Sequence, residues 1–169
     1  GREIAKKAKV FGMNVIATKR LQKNISNKKH VRLLPATMID ILMNESDYIV
    51  VSCPLTPKTK KMINKSLLTK MKKTAFIINI SRGEVIDQKV LVDFLKKNKI
   101  KGAALDVFEQ EPLNKNSELF DLDNVFLSPH ISGNFKTYQS DVVSLFADNL
   151  NRFKNRKKIL NRICKKRLY

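Results

Sequence analysis

Tryptophan is absent from this 169-residue chain, cysteine and histidine occur twice each, and glycine and proline five times each. Each scarcity excludes something. Cys53 and Cys164 stand far apart and form no C-x-x-C pair, which excludes a disulfide framework and the usual structural zinc patterns, so no metal site is expected. Isolated cysteines of this kind fit a reducing, cytoplasmic setting. The few glycines and prolines, beside 43% hydrophobic residues, describe a globular chain rather than a disordered one. No apolar run approaches the roughly 20 residues needed to span a bilayer, so no membrane partner is expected. The opening Gly1–Phe11 alternates basic and apolar residues at helical spacing and does not read as a secretory leader.

Acidic side chains are the other shortage. Fifteen Asp and Glu face 34 Lys and Arg, for a formal charge of +19. The basic residues run all along the chain, denser only over Lys154–Arg167, and no RNP, zinc-finger or aromatic-interleaved pattern accompanies them. The charge therefore reads as a composition bias on solvated faces, with no specific nucleic-acid partner. It still creates a field that draws phosphate-bearing ligands.

What is present is an alternation of apolar strands and amphipathic helices, the pattern of a parallel α/β sheet. Arg2–Phe11 is expected to be a helix with Ile4, Ala5, Ala8 and Phe11 on one face, stopped by Gly12. Met13–Ala17 reads as a strand, Ser26–Pro35 as a polar connection, and Thr37 as the cap of a short helix through Met43. Tyr48–Ser52 reads as a buried strand, and Pro54-Leu55-Thr56-Pro57 as an irregular loop leaving it. Asn64 is expected to cap a helix at Lys65–Met71, and Asp87 one reaching Asn98. Ala75–Ile80, Gly102–Val107 and Val125–Ser128 read as strands, and Phe135–Phe153 as a long amphipathic helix.

The polar, special residues cluster where strands end, at Ser52–Thr59, Ser81–Gly83, Asp106–Pro112 and Ser128–Gly133. In an open parallel sheet the ligand crevice lies outside those carboxyl ends. Arg82, between a strand and Gly83, suits bidentate capture of a carboxylate beside a carbonyl; the plainer reading is a surface arginine. His130 suits proton transfer near neutral pH, or is an ordinary loop histidine. Glu111 could pair with that imidazole and favour its protonated form. Asp106 could accept a hydrogen bond from a cofactor amide, or serve as a turn aspartate. His30 reads as a loop residue, and Cys53 as a packed thiol.

These residues stand within longer blocks. Gly1-Arg2-Glu3-Ile4-Ala5 through Phe11-Gly12-Met13, Pro54-Leu55-Thr56-Pro57-Lys58-Thr59, Ile78-Asn79-Ile80-Ser81-Arg82-Gly83, Ala104-Leu105-Asp106-Val107-Phe108-Glu109-Gln110-Glu111-Pro112-Leu113 and Pro129-His130-Ile131 follow one another in the chain. In that order they resemble the signature blocks of the D-isomer-specific 2-hydroxyacid dehydrogenases. Lys166-Arg167-Leu168-Tyr169 is similar to the end of the glyoxylate/hydroxypyruvate reductase and phosphoglycerate dehydrogenase branches, which implies a natural C-terminus.

The resemblance implies a doubly wound, Rossmann-like parallel sheet that lacks its first strand here. It implies a nucleotide-binding domain over residues 1–134, and a C-terminal helix and tail over 135–169 that pack back toward a substrate domain. It implies hydride transfer between a nicotinamide cofactor and a 2-keto or 2-hydroxy acid such as glyoxylate or hydroxypyruvate. Arg82 would hold the substrate carboxylate and carbonyl oxygen. His130 would be general acid or base, and Glu111 its partner. Gly1, Arg2, Lys19, Arg20, Cys53, Pro54, Thr59, Ile80, Ser81, Arg82, Asp106, His130 and Gly133 would face the cofactor, with Asp106 on the carboxamide. Family members are usually homodimers.

Two departures qualify this. Gly1 matches the third glycine of G-x-G-x-x-G, so the other two and the strand before them are missing. The expectation is a portion of a longer protein, inactive by itself. Where an acid would bind the adenosine ribose, the sequence has Thr18-Lys19-Arg20. Basic side chains there favour NADP(H) over NAD(H), because they pair with a 2′-phosphate that an acid repels. A dinucleotide-sensing binding protein or co-repressor on the same fold is the alternative, since function lives in the site and not in the fold.

Overall fold

The computed structural model describes residues 1–19 and 31–165. It forms two compact units, Gly1–Pro129 and His130–Tyr169.

The first unit is parallel α/β throughout. Helix α1 (Arg2–Val10) leads into strand β1 (Val15–Lys19), which pairs in parallel with β2 (Val31–Pro35). The α1 end is closed by Gly12 in the left-handed region (φ 74°), with Gly12 N–H donating to the Lys9 carbonyl and Met13 N–H to that of Ala8. This 6→1 and 5→2 pairing needs a positive φ that glycine adopts without strain. The expected strand at Met13–Ala17 thus starts two residues later, because Met13 still belongs to the helix cap. Val31–Pro35, expected as part of a polar connection, is a strand. Its apolar Val31, Leu33 and Leu34 follow a polar stretch that masked the change of period.

A 3-10 turn (Ala36–Met38) and α2 (Ile39–Glu45) follow. Thr37 caps nothing; Pro35 and Met38 occupy the two N-cap positions, neither with a side-chain bond.

Strands β3 (Tyr48–Val51), β4 (Phe76–Asn79), β5 (Gly102–Leu105) and β6 (Val125–Leu127) form a second parallel sheet in sequential order, with α3 (Lys65–Leu68) and α4 (Gln88–Lys96) in the crossovers. Right-handed crossovers between consecutive neighbours place both helices on one face. The register rows Ile49–Ile77–Ala103 and Val51–Asn79–Leu105 point to that face and are buried beneath Leu68, Leu91, Phe94 and Leu95. The other face carries Tyr48 and Phe76, stacked at 5.8 Å, with Tyr48 and Phe126 exposed. Tyr48–Ser52, expected to be buried, is buried on one side only.

Helix starts follow local chemistry. Asn64 accepts from Leu67 N–H at 3.3 Å, and Asp87 from Val90 N–H at 3.4 Å, as expected of N-caps. Both helices end earlier than expected, at Leu68 and Lys96. Asn98 (φ 48°) ends α4 with the same paired cap that Gly12 gives α1.

The second unit holds α5 (Tyr138–Lys154), which starts three residues after the expected Phe135. Phe135 instead meets Tyr138 edge-on at 5.5 Å. After the helix the chain folds back, and Asn149 exchanges two hydrogen bonds with the backbone of Leu160.

Candidate cofactor and substrate crevice

Because β3 to β6 are parallel and in register, their last residues Val51, Asn79, Leu105 and Leu127 end level. One residue further, Ile80 N–H donates to Val51 O, Asp106 N–H to Asn79 O, and Ser128 N–H to Leu105 O. This row is where the sheet stops, and three of the four expected loops leave from it within the first unit.

Ser81 and Arg82 are set by Asn79. Its amide is buried in the sheet, its oxygen accepts from both the N–H and the hydroxyl of Ser81 at 3.0 Å, and its nitrogen donates to the Arg82 carbonyl at 3.0 Å. The buried Ser81 therefore has a structural duty beside any contact with cofactor. Arg82 is exposed and extended, and its guanidinium donates to its neighbour's carbonyl, Ser81 O, at 2.6 Å. Gly83 is required behind it. A Cβ there would lie 1.9 Å from the Phe108 carbonyl carbon, so only glycine lets this turn pack on the next loop.

Asp106 is buried and accepts from the Ser128 hydroxyl at 2.5 Å. Glu111 is exposed, and its carboxylate accepts from Phe108 N–H at 3.0 Å, folding the loop back on itself. Cys53 is half-buried and packs against the core. Burial pushes its thiol above the ordinary range, against a smaller opposing backbone hydrogen bond, which agrees with a packed thiol. The Thr59 hydroxyl donates to Pro54 O at 2.7 Å and accepts from Thr56 N–H at 2.8 Å, so it builds the loop from within. Pro54 and Ile80 are exposed at the same end.

Gly1 stands at the N-terminus of α1 against the end of β3. A Cβ on it would come within 3.0 Å of the Ser52 hydroxyl oxygen. The first N–H bonded within that helix is Ala5, to Gly1 O at 3.0 Å. The amides of Arg2, Glu3 and Ile4 therefore project from an anion-receptive end, and the residues fit a dinucleotide phosphate there. Arg2 and Lys19 are exposed. Arg20 and His30 lie outside the described residues.

His130 and Gly133 belong to the second unit, where both are exposed and His130 has φ 54°. Sequence reasoning missed Asn79 and Ser128. A single amide ending the apolar Phe76-Ile77-Ile78 was the signal for the first; the second had none beyond its place at a strand end.

A parallel α/β unit with polar loops gathered at the carboxyl ends of its strands is the arrangement in which open α/β domains, dinucleotide-binding ones among them, take their ligands. The description "D-isomer specific 2-hydroxyacid dehydrogenase, NAD binding domain" matches residues 1–132, and the chain belongs to that family. A glyoxylate reductase of Thermococcus onnurineus is 42% identical over 156 residues, covering 92% of this chain and 46% of that protein. A D-isomer specific 2-hydroxyacid dehydrogenase from Xanthobacter autotrophicus, solved with NADPH and MES, superposes with a TM-score of 0.91 at 29% identity, covering 100% of this chain and 68% of that one. An NADPH-dependent glyoxylate/hydroxypyruvate reductase from Sinorhizobium meliloti, solved with NADP and sulfate, gives 0.90 at 26% identity, covering 100% and 54%. The chain spans about half the length of the curated relatives it matches. No helix among the described residues is long and apolar enough to cross a membrane.

Proposed function

We propose that this chain is the nucleotide-binding part of a reductase that interconverts a 2-keto acid, such as glyoxylate or hydroxypyruvate, and its D-2-hydroxy acid. The observation that carries the reading is the placement of Arg82, Asp106 and Glu111 on successive strand-end loops of a domain in this family. A bound nicotinamide supplies or accepts the hydride, and the protein supplies position and charge. Arg82 holds the substrate carboxylate and the carbonyl oxygen through its planar guanidinium. Asp106, kept in place by Ser128, accepts from the carboxamide. His130 gives a proton to the carbonyl oxygen in reduction and takes one from the hydroxyl in oxidation, with Glu111 as partner of the imidazole. The α1 N-terminus receives the phosphates, and Cys53 and Pro54 line the cofactor.

Lys19, exposed at the end of β1, supports NADP(H) as the preferred cofactor. The split sheet supports a domain completed by one more parallel strand: in the order 3-2-1-4-5-6, β1 and β2 take places 2 and 3, and β3 begins at place 4. Residues 135–169 then form the helix and tail that pack toward a substrate domain. The working protein is a cytoplasmic homodimer.

The test is turnover by the protein expressed from its complete reading frame, with NADPH and NADH compared. Arg82→Gln is expected to lower kcat/KM about 100-fold, and NADPH to bind more tightly than NADH. Dinucleotide binding without turnover of any 2-keto acid would instead fit the sensing role.

A further inference from the structure

Three strand-end loops are tied together behind Arg82 and Glu111. Glu109 accepts from Gln88 N–H at 3.2 Å, and Glu109 N–H donates to the Gln88 side-chain oxygen at 3.0 Å. The Lys61 ammonium stands 3.7 Å from the Glu109 carboxylate and 3.7 Å from Asp87. Lys61 N–H also donates to Glu84 O at 2.7 Å, and Asp87 N–H to Ile63 O at 3.0 Å. Residues from the loops after β3, β4 and β5 therefore share one polar cluster.

The chemistry explains why these groups hold. Gln88 is the first residue of α4, and its N–H is one of the helix donors that find no partner within the helix. Asp87 takes the donor of Val90, and Glu109 takes that of Gln88 across the sequence. A carboxylate at that end is also favoured by the helix dipole. Between the ties, Gly83 lies against the Phe108–Glu109 peptide without room for a Cβ. Arg82 precedes Gly83 directly. Glu111 follows Glu109 by two residues and is folded onto Phe108.

We infer that Gln88 and Glu109, backed by Lys61, are positioning residues: their reciprocal hydrogen bonds fix the spacing between the Arg82 turn and the Glu111 loop. They act through Gly83 and Phe108. The inference rests on the roles proposed above for Arg82 and Glu111.

The test uses Gln88→Leu, Glu109→Leu, and the double swap Gln88→Glu with Glu109→Gln, which keeps an acceptor oxygen at both positions. In the protein from its complete reading frame, each leucine variant is expected to lower kcat about 10-fold, with the KM for dinucleotide changed less than about twofold. Hydrogen exchange at Val85 and Phe108 should quicken, although neither substitution removes the bonds those amides make to Arg82 O and Glu111. The swap should return both readouts close to the parent. Glu109→Gln alone, which loses only the charge facing Lys61, should cost about threefold or less.

Unchanged kcat and exchange in the leucine variants, or a swap that restores neither, overturns the inference. If the parent turns over no 2-keto acid, the proposed function fails, while exchange at Val85 and Phe108 still decides whether the pair holds the loops.

Discussion

The two parallel sheets of the first unit are made from similar residues, yet one has a core and the other barely has one. In β1 and β2 only Leu34 is buried, and α1 beside them has no fully buried residue, with Val10 and the Phe11 that follows it 86% and 82% exposed. In β3, β4 and β5 alternate residues are buried, and α4 adds Leu91, Val92, Phe94 and Leu95. Both α1 and α4 are amphipathic, but α4 carries more and larger apolar side chains. The number of neighbours differs as well: four paired strands present a continuous face for two helices, whereas a two-stranded ribbon does not. Amphipathicity states what a helix can bury, and the neighbours decide whether it does.

Substitutions in the two helices should have very different costs. Phe94→Ala should cost about 3–5 kcal/mol of unfolding free energy, because it empties a fully enclosed site. Val10→Ser, at an apolar side chain left in solvent, should stay within about 0.5 kcal/mol. Denaturant midpoints of the 169-residue chain measure both, and equal losses would abolish the distinction between the two sheets.

Next in size is Gly83→Ala. Its Cβ would meet only backbone atoms of Phe108 and Glu109, which cannot rotate away. A loss of about 1–3 kcal/mol is expected from the forced displacement. A parent-like melting curve would show that the two loops are not in the close contact described.

A smaller loss than that of Gly83→Ala is expected at the start of α4. Asp87→Ala removes a long, 3.4 Å cap bond of α4 and should cost about 0.5–1 kcal/mol. A loss as large as that of Phe94→Ala would mean that capping, and not burial, holds α4 in place.

Much of this was legible in the residues. The parallel α/β class, the Gly12 stop, the Asn64 and Asp87 caps and the strand-end loops carrying Arg82, Asp106 and Glu111 all follow from short-range chemistry. Val31–Pro35 was not legible as a strand, because five residues after a long polar stretch carry too short a pattern to show their period. Thr37 looked like a cap by residue type, but Pro35 and Met38 had already taken the positions at which the helical turns begin.

Residue type and local pattern say which side chains could do chemistry and which ends of the strands they occupy, since both depend on neighbours within a few positions. How those side chains are held depends on the fold. Asn79 orders the Arg82 turn, Ser128 holds Asp106, and Gln88 meets Glu109 twenty-one positions away. Such contacts arise when parallel strands bring distant loops level, and no local pattern encodes that alignment.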